Sequence, residues 1–348
     1  MRKFAYAAIL ATFILCGCSD SKTKLYVYTW ADYVDPEIIK EFEAENDCTV
    51  VIDTFDSNEA MYATLTSGGG GYDILVPTEY FIRPLIEANI ICKLDPEKLP
   101  NAKKNLDEMF RTKWTFEYDV PYAFSCTGIL WRKDKVPQDL TFNDWEDLFD
   151  KRLGGRICIM NNIREIIGIG LKVNGYSVNS TNDSEIAKAV ETTRRWKSRA
   201  SKMDNEAYRT GVPSGEFAAA MSYNSDAIML LAEDPDSFGY AVPSNGAPSS
   251  VDVLCITSQS PRKDLAHKFI DMFYVPENAV RNAEYNGVPM PIAGLYDMLS
   301  DKYKAIPMMR VSEDLRARCE DIMDVGDALK KYSAAWDVIT KESEKVSR

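Results

Sequence analysis

The sequence predicts an α/β protein of two lobes, each a mixed, mostly parallel sheet flanked by helices. Three observations carry that prediction. From Leu25 to Pro77, strand-like and helix-like segments alternate as βαβαβ with short links, the pattern of a parallel sheet. A second block of strands and helices begins near Ile129, and about 330 residues after the leader are enough for two separate cores. No low-complexity linker, internal repeat or long charge run divides the blocks. The chain is therefore expected to cross between its lobes on strands, which would serve as the hinge.

Each element has a local reason. Leu25 to Tyr28 is a short β-type run ending at Thr29-Trp30. Asp35-Pro36-Glu37 then starts a helix with an acidic N-cap, proline at the first helical position and an acid in the first turn. Ile38, Ile39 and Phe42 form its apolar face. Thr49 to Asp53 is the next strand, and Asp56-Ser57-Asn58-Glu59 resembles a capping box that opens a helix through Met61, Tyr62 and Leu65. Ser67 to Gly71 ends that helix. The glycine run follows a helix and lacks the Gly-Lys-Ser/Thr ending of a phosphate loop, so it reads as a turn. Tyr72 to Pro77 is a third, buried-type strand. In the second block, Asn143 to Leu148 is a helix start and Gly155 to Met160 a strand. Helices follow around Arg164 to Val173 and Ser184 to Ser198, then strand-like steps at Met221 to Tyr223 and Val251 to Ile256. Leu265 to Tyr274, Pro276 to Glu284 and Ala328 to Lys341 read as helices.

The first residues read differently. Arg2 and Lys3 precede an apolar run from Phe4 to Leu15, which is too short to span a bilayer as a helix and has the layout of a secretory signal. Leu15-Cys16-Gly17-Cys18 looks like a lipobox, so residues 1–17 are expected to be a lipoprotein signal peptide and Cys18 the lipidated (palmitate-bearing) first residue of the mature chain. The formal net charge is −12, which argues against nucleic acid and suits cationic ligands. His267 is the single histidine and falls in an amphipathic helical stretch, so serine–histidine catalysis and histidine-rich metal sites are not expected. Cys48, Cys92, Cys126, Cys158, Cys255 and Cys319 include no Cys-x-x-Cys pair and read as small buried apolar residues.

Several stretches together are specific. Leu25 to Val34 (LYVYTWADYV), Phe55 to Glu59, Tyr72 to Thr78, Val120-Pro121-Tyr122, Arg164-Glu165, Met221 to Asn224 and Asp252 occur in one order and spacing. In these the chain resembles the periplasmic spermidine/putrescine-binding proteins of ABC importers over essentially the whole mature sequence. The resemblance implies a two-lobed type II solute-binding fold that closes on a polyamine. It also implies a ligand-binding set of Trp30, Asp32 and Tyr33 on the first-strand loop, Thr78 and Tyr80 after the third strand, and Glu165, Tyr223, Asp226 and Asp252. Such a ligand is a run of methylenes bearing spaced ammonium groups. It calls for spaced carboxylates, here Asp32, Glu165, Asp226 and Asp252, and for aromatic walls. Asp252 stands in an otherwise apolar strand, where a lone carboxylate has little structural use.

With the resemblance, the expected organisation is 18–24 as a lipidated tether, 25–128 as the first part of lobe 1, and 129–252 as lobe 2. Residues 253–348 are then the return to lobe 1 and the C-terminal helices. The expected protein is a monomeric binder and not an enzyme, without cofactor or metal. Its partners would be a polyamine and the permease and ATPase subunits of an importer. It would lie in the periplasm, lipid-anchored to an inner or outer membrane. Three positions depart from the family: Ala31 replaces a hydroxyl residue, Asn162 a second aspartate and Ser250 an aromatic wall. Tyr223 stands for a tryptophan. Putrescine against spermidine stays open at this point, as do binding of ferric ion or another small organic cation, and a sensing role.

Overall fold

The computed structural model describes residues 22–111 and 116–341. The signal segment and Cys18 lie outside the described residues. Strands β1 (Thr23–Thr29), β2 (Cys48–Thr54) and β3 (Ile74–Leu75) pair in parallel, β1 in the middle, as the βαβαβ pattern requires. The helix Pro36–Asn46 between the first two is capped by Asp35, whose Oδ1 accepts from the Glu37 amide at 2.9 Å. Its Ile38, Ile39 and Phe42 are buried, so cap and apolar stripe act together to lay it on the sheet. Ser57 caps the helix Asn58–Thr66 by accepting from Ala60 N at 3.1 Å.

The lobes are joined through one long strand that sequence patterning does not reveal. β4 runs over Asp119–Arg132. Its first part, Asp119 to Cys126, lies antiparallel to β9 (Ala247–Ile256), which in turn meets β3. From Thr127 onward β4 pairs instead with β7 (Ala219–Tyr223) and β8 (Phe238–Ala241). β5 (Ile157–Ile159) and β6 (Lys202–Met203) extend this second unit in parallel beyond β7. Pro121 hides the strand from a local reading, because proline cannot donate to a ladder; the register shifts between Pro121 and Ala123 to accommodate it.

Partner exchange at Cys126/Thr127 falls close to the first expected boundary. The second expected boundary, after residue 252, lies inside a continuous ladder in which Asp252 opposes Ala123. The first sheet thus already holds β9 from Ser249 to Cys255. β10 (Cys319–Asp321) joins β9 at Ala247 to Ser249. The last helix, Leu329–Lys341, packs on the second lobe's helices Ile163–Val173 and Asp183–Lys197, and the Tyr332 hydroxyl donates to the Val178 carbonyl at 3.0 Å.

Gly128 sits two residues past the exchange point. A Cβ there would lie 2.4 Å from Cζ of Tyr240 and 2.6 Å from the Ala241 carbonyl oxygen, both on β8, the antiparallel neighbour of β4. Gly128→Ala should therefore cost about 1–3 kcal/mol by overpacking, read as a lower denaturation midpoint; an unchanged midpoint would show that β8 can move away freely.

His267 is structural: its Nε2 accepts from Asp95 N at 2.9 Å, and Nδ1 lies 2.6 Å from the Lys263 carbonyl oxygen. Cys48, Cys92, Cys126, Cys158, Cys255 and Cys319 are all free, four of them buried. No helix among the described residues is long and apolar enough to cross a membrane.

Candidate ligand-binding site

Asp252 stands in β9 between buried Val251 and Val253 and is itself buried. Its Oδ2 accepts a short hydrogen bond from the Tyr33 hydroxyl, and its Oδ1 accepts from Thr78 Oγ1 at 2.7 Å. Both donors are themselves fixed. Asn58 accepts from Thr78 N at 3.0 Å and donates to Thr78 Oγ1 at 3.0 Å and to the Tyr80 hydroxyl at 3.2 Å. The Tyr33 carbonyl accepts from the Tyr122 hydroxyl at 2.7 Å and from Asn286 Nδ2 at 2.9 Å. Burial pushes the Asp252 carboxyl up to about 6, against the pull of the two hydroxyls. The Tyr33 hydroxyl is held well above its ordinary value, first by burial and then by the Asp252 charge.

A second buried carboxylate comes from the other lobe. Asn162 caps the helix Ile163–Val173, its Oδ1 accepting from Arg164 N at 3.0 Å and Glu165 N at 3.2 Å. This cap sets Glu165 in the first turn, buried, where Thr127 Oγ1 donates to its Oε2 at 2.5 Å. Thr127 is the first β4 residue beyond the partner exchange, so the crossover strand itself holds this acid. Burial pushes the Glu165 carboxyl up to about 7, opposed by the Thr127 bond and by Arg164. Arg164 does not bond it. Its guanidinium donates to the Met323 carbonyl and to Asn179 Oδ1, both at 2.8 Å, and lies 4.8 Å from the Tyr332 ring centroid and 6.0 Å from that of Tyr80.

Tyr223, at the end of β7 and the N-cap of the helix Asn224–Glu233, is half-buried. Its hydroxyl is held well above its ordinary value by burial, then by Glu165, Tyr208, Tyr80 and Asp252. That set of neighbours places Tyr223 within the field of both buried acids. Tyr80 is also half-buried; burial first, then Glu59, raises its hydroxyl, while Asn58 and Arg164 oppose this. Trp30 packs its ring 4.5 Å from Phe55 and keeps a buried Nε1 without a hydrogen-bond partner.

The structure therefore gathers Tyr33, Thr78, Tyr80, Glu165, Tyr223 and Asp252 into one neighbourhood drawn from both lobes. Asp32 is not in the buried group: it is exposed, in the left-handed region at φ 54°, with its charge felt by Tyr285. Asp226 is largely covered but already engaged. It accepts from the Tyr208 hydroxyl and forms an ion pair with Arg209 at 3.0 Å. Local reading missed Asn58, Thr127 and Tyr122, which hold the predicted residues in place. Asn58 follows a capping serine and so reads as an ordinary helix start; only the fold brings Thr78 to its amide.

Chemically, Asp252 and Glu165 are bonded by hydroxyls rather than by cations, with aromatic faces beside them. Carboxylates removed from water in this way are costly alone and favour an incoming cation that can bond them. Among the described residues no group of three or more His, Cys, Asp or Glu could hold a metal ion.

Known proteins share this fold. A putrescine/cadaverine-binding protein of Pseudomonas aeruginosa is 27% identical over 342 residues, covering 93% of this chain and 95% of that one. The spermidine/putrescine-binding periplasmic protein of Escherichia coli is 29% identical over 304 residues, covering 86% of each. The solved TpPotD lipoprotein of Treponema pallidum superposes with a TM-score of 0.80 at 30% identity, over 91% of this chain and 99% of that one. The pattern of the family described as bacterial extracellular solute-binding protein matches residues 37–311. The two-lobed architecture is thus the type II solute-binding fold, and the chain belongs to the bacterial extracellular solute-binding protein family.

Proposed function

We propose that the protein binds a polyamine, putrescine or spermidine, between its lobes and delivers it to the permease of an ABC importer. The observation that carries this reading is the pair of buried carboxylates, Asp252 from the first lobe and Glu165 from the second, both raised by burial and flanked by Tyr33, Tyr80 and Tyr223. Two ammonium groups joined by methylenes match that chemistry: each acid gains a charged hydrogen-bond donor, and the chain between them lies against aromatic faces. The names of the relatives point to the same ligand class. Trp30, Asp32 and Thr78 complete the proposed set, while Asp226 is engaged by Tyr208 and Arg209.

Binding would draw the lobes together because the cation meets both acids only when they are close, and a ligand shifts an equilibrium by its differential affinity for the two states. Transport energy would come from a separate ATPase, and Cys18 would carry the lipid that holds the monomer at a membrane surface in the periplasm. The chain is read as a binder and not a catalyst.

A thermal-shift panel on the ligand-free soluble domain tests this. Putrescine, cadaverine, spermidine, spermine, ferric ion and several amino acids would be compared. A ligand at 100 times its Kd should add about 2.7 kcal/mol of stability, so the melting temperature should rise with polyamines and stay put with the rest. A rise with ferric ion or an amino acid, and none with any polyamine, would overturn the ligand assignment while leaving the fold intact.

A further inference from the structure

We propose that Arg209 sets how many positive charges the cleft accepts, making it selective for diamines over triamines. The inference rests on the polyamine reading above and concerns a residue outside the proposed binding set. Arg209 lies on the helix Ala207–Ser214, half-exposed, and its Nη2 sits 3.0 Å from Asp226 Oδ1, a carboxylate whose side chain is only 16% exposed. Asp226 Oδ2 is taken up by the Tyr208 hydroxyl. Both oxygens of the third acid are therefore engaged from within the protein. Nη1 of the same guanidinium lies 3.2 Å from Glu206 Oε2, so Arg209 is tied from two sides.

The position matters because Tyr208 connects this pair to the inner site. Tyr208 is among the groups that act on the Tyr223 hydroxyl, together with Glu165 and Asp252, and Asp226 is three residues past Tyr223 in the first turn of the same helix. Asp226 thus stands one turn into the helix that begins at Tyr223, and there Arg209 supplies a positive charge. Asn162 has the same consequence by a different route. It is neutral where the resemblance leads one to expect an aspartate, and its oxygen already accepts from two backbone amides. Two buried carboxylates thus remain bonded only by hydroxyls, which matches two ammonium groups. A third ammonium would meet the Arg209 guanidinium, and like charges repel at this range.

The test is calorimetric titration of putrescine and spermidine into the full soluble domain, as wild type, Arg209→Gln, Arg209→Lys and the double variant Arg209→Gln/Asp226→Asn. Circular dichroism on each variant checks that it is folded. The wild type should prefer putrescine. Arg209→Gln should tighten spermidine by about tenfold, the factor that 1.4 kcal/mol represents, and change putrescine much less. Arg209→Lys should keep the diamine preference, and Asp226→Asn in the Gln background should cancel the spermidine gain. A folded Arg209→Gln with an unchanged ratio of the two affinities, or a wild type that prefers spermidine, would overturn the role of Arg209 while leaving polyamine binding intact. Binding of neither amine by the wild type would overturn both.

Discussion

Asp252→Asn is expected to weaken polyamine binding by about 2–5 kcal/mol, the cost of removing one partner of a buried hydrogen-bonded charge pair. The substitution keeps shape and removes charge. In the folded protein, Tyr33 and Thr78 donate to different oxygens of this carboxylate, and in asparagine one of those oxygens becomes an NH2 that cannot accept. Stability should respond differently. Burial of the ionised Asp252 is unfavourable, as its raised carboxyl value of about 6 records, so the ligand-free variant should melt near or above the wild type at pH 8. Titration calorimetry and a melting curve on the same sample separate the two effects. A binding loss below about 0.5 kcal/mol, less than the net worth of a typical hydrogen bond, would remove Asp252 from the site. A binding loss that merely tracks a lower melting temperature would make Asp252 a structural residue.

Ligand affinity should also climb steeply with pH, in the direction opposite to the stability of the ligand-free protein. Glu165 and Asp252 are raised to about 7 and about 6, both by burial, above the ordinary carboxylate range. The folded state therefore holds protons that the unfolded chain releases. Their contribution to stability is fully present below about pH 4 and is lost as pH rises through 6 and 7. A polyamine requires the ionised acids, so binding expels those protons. With both acids ionised in the complex, affinity should rise on the order of 10²- to 10³-fold between pH 5 and pH 8. Calorimetry in two buffers of different ionisation enthalpy would count the protons released. A flat pH profile with no proton release would mean that neither acid meets the ligand. Glu165→Gln should remove the upper part of the dependence and leave the part that belongs to Asp252.

How much of this can be read along the chain follows from how far each cause reaches. Asp35 capping the helix Pro36–Asn46, Ser57 capping Asn58–Thr66 and the alternation from β1 to β3 depend on residues a few positions apart, so the β1–β3 unit is legible directly. Asp252 stood out for the same reason: a charge among apolar neighbours breaks a local pattern. The long strand β4 did not, since Pro121 and Gly128 both argue locally against a strand and only pairing with β9, β7 and β8 overrules them.

The state of each acid is not a local property at all. Asp226 and Asp252 are the same residue type, yet one faces Arg209 across 17 positions and the other accepts from Tyr33 and Thr78, which lie 219 and 174 positions away. Glu165 owes its setting to Thr127 on the crossover strand. Charge and hydrophobic pattern along the chain decide the parallel β1–β3 unit and mark the candidate acids. Burial and hydrogen bonding decide which acids stay available to a cation, because both depend on atoms that only the packed lobes bring within 3 Å.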